Sequence, residues 1–81
     1  MTAQELCAVF GSNVKRRRTA KGWTLREFAG KIGVDKSQLV KWEKGRALAS
    51  GKNLALLSQL FGAEVWRLFY PDEAGAKEEA E

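Results

Sequence analysis

Apolar side chains recur along this chain at intervals of three and four residues, broken by single glycines and preceded by hydroxyl or acidic residues. That period places the apolar positions on one side of an α-helix, and no stretch alternates as a half-buried strand would. Leu6, Phe10 and Val14 make the first stripe, opened by Thr2-x-x-Glu5 in the form of a capping box and closed at Gly22. Cys7 lies beside that stripe as a small hydrophobe. A second capping box, Thr24-x-x-Glu27, opens a helix carrying Leu25, Phe28, Ala29 and Ile32, which stops at Gly33. Gly30, inside it, costs about 0.5–1 kcal/mol against alanine and is expected to be exposed or closely approached. Only two residues after Gly33 a third helix begins, with Asp35 as N-cap, running from about Lys36 to Lys44 with Leu39 and Trp42 turned inward. Ser50 caps a fourth helix bearing Leu54, Leu57, Leu60 and Phe61 and ended by Gly62. A last short helix, about Glu64 to Phe69, turns Val65, Leu68 and Phe69 inward and Trp66 outward. The pattern predicts an all-α bundle.

From Pro71 onward the chain holds no aromatic or large aliphatic residue, so it cannot offset ordering entropy by burial. A folded domain over 1–70 and an acidic, disordered tail over 71–81 are therefore expected. Eighty-one residues suffice for one small core of modest stability. A single cysteine permits no internal disulfide, and the absence of histidine removes both a structural zinc set and the usual neutral-pH acid/base group. No metal, cofactor or catalytic residue is expected, and the chain is read as a non-enzyme. No apolar run nears the roughly 18 residues that span a bilayer, and the first residues lack a secretory layout, so a cytoplasmic protein without membrane contact is expected.

Charge changes the picture more than composition does. Residues 1–52 hold twelve basic side chains against four acidic, a balance of +8, whereas residues 53–81 hold two against six, a balance of −4. A basic body beside an acidic remainder is either a face for a polyanion or ordinary surface charge. The unit Thr24 to Gly45, two helices across a short turn at Gly33-Val34, decides between them, because it has the layout of a helix-turn-helix. With Leu39 and Trp42 buried, the opposite face of the third helix shows Lys36, Ser37, Val40, Lys41 and Lys44. Lys36 and Lys41 suit guanine O6 and N7, Ser37 donates or accepts, and an exposed Val40 suits a thymine methyl. The competing reading is a solvated lysine face. Phosphate anchors are expected at Thr24 and Arg26, where the second helix begins with free backbone N–H groups, and at Arg46 and Lys52.

Phe10-Gly11, Val14, Arg18, Lys21-Gly22-Trp23-Thr24, Glu27-Phe28-Ala29, Lys31-Ile32-Gly33-Val34, Lys41-Trp42-Glu43-Lys44-Gly45 and Leu60-Phe61-Gly62 together resemble the lambda-repressor-like, Cro/C1-type (XRE) helix-turn-helix domain, over Phe10 to Phe69. The resemblance implies a five-helix lambda-repressor-like bundle with its helix-turn-helix at helices 2 and 3. It further implies binding to double-stranded operator DNA, usually as a homodimer on an inverted repeat. It assigns Lys36, Ser37, Val40 and Lys41 to base reading, puts Gln38 and Lys44 near phosphates, and pairs Arg18 with Glu43 as a structural ion pair. Two positions depart from the family: Leu25 stands where many members carry a phosphate-binding Gln, and Ala49 where a proline is frequent, so a looser loop is expected there. Trp66 and Tyr70 lie on the helix where such domains pair, and they are read either as a dimer interface or as aromatics folded over the domain's own edge. The function expected is sequence-specific transcription regulation, more specifically repression. The alternative is a protein-interaction module with a protein partner, such as the antitoxin half of a toxin–antitoxin pair.

Overall fold

The computed structural model describes residues 1–71; the expected acidic tail, apart from Pro71, lies outside the described residues. Four α-helices follow in order, α1 (Ala3–Ala20), α2 (Leu25–Ile32), α3 (Lys36–Glu43) and α4 (Gly51–Phe61), and a 3₁₀ turn, Val65–Phe69, ends the sequence of elements. The fifth expected helix is thus a 3₁₀ segment. Five residues between the extended Glu64 and Tyr70 leave too little length for an α-helical ladder, and the Arg67 N–H closes on the Glu64 carbonyl at 3.1 Å.

The helix ends follow from local chemistry. Thr2 and Thr24 both form complete capping boxes, the hydroxyl accepting from the N3 backbone while the N3 glutamate accepts from the cap's own N–H. Ser50 accepts from the Asn53 N–H at 3.4 Å at the start of α4. Asp35 occupies the N-cap of α3 but makes no side-chain cap bond, because the Gln38 N–H turns instead to the Asp35 carbonyl at 3.0 Å. The α2–α3 corner needs Gly33, whose φ of 86° is left-handed, and whose N–H, with that of Val34, closes on the Ala29 carbonyl.

The core is one cluster. Phe10 and Val14 of α1, Phe28, Ala29 and Ile32 of α2, Leu39 and Trp42 of α3, and Leu57 and Phe61 of α4 are buried in it, with Leu68 closing one end. Phe10 meets Trp42 edge-on at 6.1 Å and stacks on Phe69 at 5.5 Å, while Trp23 stacks on Phe28 and Phe61. Val65, expected inside, is only half-buried and stays outside the cluster. Ala49 is buried within it, so the loop expected to be loose for want of a proline is anchored by a methyl group. Gly30 is exposed with open space around it.

Two features of α1 position α3. A Cβ on Gly11 would lie 2.1 Å from the Trp42 carbonyl oxygen and 3.0 Å from that of Glu43, so only glycine lets α1 cross the end of α3 so closely. Buried Asn13 donates through Nδ2 to the carbonyls of Arg67, Leu68 and Tyr70 at 3.0–3.2 Å, tying the 3₁₀ turn to α1.

Candidate nucleic-acid interface

Burial of Leu39 and Trp42, at 0% and 1% exposure, fixes the rotation of α3 about its axis. Lys36, Ser37, Lys41 and Lys44 are consequently exposed. They recur at i, i+1, i+5 and i+8, which is one face of a helix. Gln38 and Val40 are half-buried at its edges. The expectation of a fully exposed Val40 is corrected: its side chain lines a shallow cavity together with Leu25 of α2 and Lys15 of α1. Both neighbours come from other helices, which is why the spacing within α3 did not reveal them.

Arg18 locks this helix from behind. Its Nε donates to Glu43 Oε2 at 2.7 Å and its Nη2 to Glu43 Oε1 at 3.1 Å, a two-pronged pair, while Nη1 donates to the Trp23 carbonyl at 2.8 Å. The two side chains are 11% and 7% exposed. One guanidinium thereby joins the end of α1, the end of α3 and the approach to α2, and neither charge is left over for a ligand.

At the start of α2, Thr24 and Arg26 are exposed. The Thr24 N–H, expected to be free, is taken by Glu27 Oε1 at 2.8 Å, and its hydroxyl accepts from the Glu27 N–H at 3.0 Å. The outward donors of this helix end are therefore the N–H groups of Leu25 and Arg26, its first two residues. Arg46 in the connection after α3 and Lys52 in the first turn of α4 are exposed. Trp66 and Tyr70 stand 53% and 44% exposed, edge to face at 5.6 Å, with the Arg67 guanidinium 4.9 Å from the Trp66 ring. Sequence reasoning missed Gly11 and Asn13. A glycine and an asparagine on the apolar side of α1 were the available signals.

Among the described residues, no group of three metal-ligating side chains gathers, and no helix is long and apolar enough to cross a membrane. Two helices at a glycine corner, the second buried by two large residues and showing cations outward, define the class of helix-turn-helix DNA-binding proteins. Residues 14–65, well over half of the chain, match the helix-turn-helix family. The chain belongs to that family, in its Cro/C1 (XRE) type, and is a DNA-binding transcription regulator rather than an enzyme.

Solved structures agree with this. The chain is similar to a hypothetical transcription factor, NHTF, from Neisseria, at 26% identity and a TM-score of 0.77 over 95% of this chain and 88% of that one. It is also similar to the clp gene regulator ClgR from Corynebacterium glutamicum, at 29% identity and a TM-score of 0.74 over 93% and 80% of the two chains. A third similar structure is the restriction-modification controller protein C.AhdI from Aeromonas hydrophila, at 30% identity and a TM-score of 0.70 over 78% and 96%. No curated protein sequence matches the chain.

Proposed function

We propose that this protein is a sequence-specific repressor that binds an inverted-repeat operator as a homodimer, with α3 of each copy in the major groove. The observation that carries the reading is the exposed set Lys36, Ser37, Lys41 and Lys44 on a helix whose other side is pinned by Leu39, Trp42 and the Arg18–Glu43 pair. Lys36, Ser37 and Lys41, with the edge of Val40, read bases; Arg26, Gln38, Lys44, Arg46 and Lys52 hold phosphates, and Thr24 adds its hydroxyl proton. Repression is the outcome that occupancy of DNA produces without any further contact, and such a regulator works in the cytoplasm, where the DNA is. The similar clp gene regulator and restriction-modification controller support a role in gene control.

The dimer rests on Trp66 and Tyr70, large exposed aromatics beside Arg67, the residue types that anchor interfaces. The domain measures 32 × 29 × 19 Å, so two copies fit side by side on half-sites about 34–36 Å apart, one helical turn. The test is selection of binding sites from random duplexes, followed by titration of variants. A palindrome with that spacing is expected. Lys41→Ala should weaken binding to it by about 1–3 kcal/mol, or roughly 5- to 150-fold. Unchanged affinity in both Lys41→Ala and Ser37→Ala refutes the base-reading role. Sedimentation of Trp66→Ala should show a shift toward monomer. Co-purification of a stoichiometric second protein on this aromatic patch, with DNA binding no better than nonspecific, would instead favour the interaction-module reading.

A further inference from the structure

Between α1, the start of α2 and the second half of α3 lies a cavity of about 170 Å³ lined by Lys15, Arg18, Leu25, Val40, Glu43 and Lys44. It falls below the roughly 300–1,000 Å³ of pockets that enclose small organic ligands. Its charges sort simply. Arg18 and Glu43 neutralise each other in their buried pair, which leaves Lys15 and Lys44 as two exposed cations on its rim. Leu25 and Val40, both half-buried, supply apolar walls. Two like charges around an apolar dent repel one another unless an anion sits between them, and the anion that fits also needs an apolar neighbour. A phosphodiester has that combination, an anionic phosphate joined to a deoxyribose. Val40 and Lys44 belong to the exposed side of α3, so the dent opens beside the surface that faces DNA.

We infer that this dent seats one backbone phosphate of the bound duplex, held by Lys15 of α1 together with Lys44 of α3, with Leu25 and Val40 against the adjoining sugar. The inference rests on the DNA-binding reading and extends it to α1, which takes no other part in the contacts proposed above. It also gives Leu25 a role: apolar packing stands in place of a polar side chain at that position, and the charge comes from the neighbouring helix.

The test measures the salt dependence of binding by the full chain to a duplex selected from a random pool, for wild type, Lys15→Ala, Lys15→Arg and, as a control for loss of any one charge, Lys31→Ala. Lys31 is exposed on α2 beside Trp23, outside the proposed contacts. Each phosphate contact contributes a slope of about 0.9 in log K against log salt. Lys15→Ala should flatten the slope by about that amount and bind roughly eight-fold more weakly at 0.1 M salt. Lys15→Arg should keep the wild-type slope, and specific and nonspecific duplexes should be affected alike. Replacing the phosphates one at a time by neutral methylphosphonate should reveal a position whose loss weakens wild type but not Lys15→Ala. A Lys15→Ala slope equal to that of Lys31→Ala, with no such position, overturns the seat while leaving the DNA-binding reading intact. If the wild type selects no duplex at all, both fail together.

Discussion

Removing Glu43 alone should damage this fold far more than removing it together with Arg18. In Glu43→Leu the Arg18 guanidinium loses the acceptors of Nε and Nη2, keeps only the Trp23 carbonyl for Nη1, and stays in a site where the side chain is 11% exposed. Stranding one charge of a buried pair costs about 3–5 kcal/mol. A chain of this length has about 4–12 kcal/mol in total, at about 0.05–0.15 per residue, so the single change takes a large share. At roughly 4–8 °C per kcal/mol, the midpoint should fall by at least about 12 °C. Arg18→Met strands the Glu43 carboxylate in the same way and also frees the Trp23 carbonyl, a loss of about 1 kcal/mol more. The double variant Arg18→Met/Glu43→Leu replaces the pair by apolar groups of similar size and should recover to within about 2 kcal/mol of wild type. Urea denaturation followed by far-ultraviolet circular dichroism measures all four proteins. Strictly additive losses, or a Glu43→Leu cost below about 1 kcal/mol, would refute the claim that this pair is the buried clamp on α3.

Other perturbations follow from the same geometry. Gly11→Ala should destabilise the domain by at least about 1–3 kcal/mol, because its methyl meets two backbone carbonyls of α3 rather than a side chain that can swing away; denaturation checks it. Gly30→Ala should instead stabilise by about 0.5–1 kcal/mol, since that position is helical, exposed and unobstructed. Asn13→Ala removes the donor shared by three carbonyls of the C-terminal turn and should lower stability by about 1–3 kcal/mol, with faster hydrogen exchange around Arg67 to Tyr70.

Most of the fold was legible in the sequence because most of its boundaries are set by neighbours a few residues apart. Thr2 with Glu5, Thr24 with Glu27, and the left-handed glycines 33, 45 and 62 each announce a helix end through local hydrogen bonding or backbone freedom. The rotation of α3 was legible for the same reason, since Leu39 and Trp42 are its large apolar residues three apart. What the sequence hid depends on where distant segments land. Val40 looked free until α1 and α2 brought Lys15 and Leu25 beside it. Asp35 looked like a side-chain cap until a backbone carbonyl took its partner. Asn13 carries no local signal of its task, because its three acceptors lie more than fifty positions away. The Arg18–Glu43 pairing, across twenty-five positions, was expected only through resemblance to a family.

The central claim, that the exposed side of α3 meets DNA, is tested most directly by titrating isotopically labelled protein with a selected duplex and following backbone amide shifts. The account predicts the largest changes at Lys36, Ser37, Lys41 and Lys44, with a second group at Leu25 and Arg26. Shifts confined to the surface around Trp66 and Tyr70, with α3 unmoved, would contradict it.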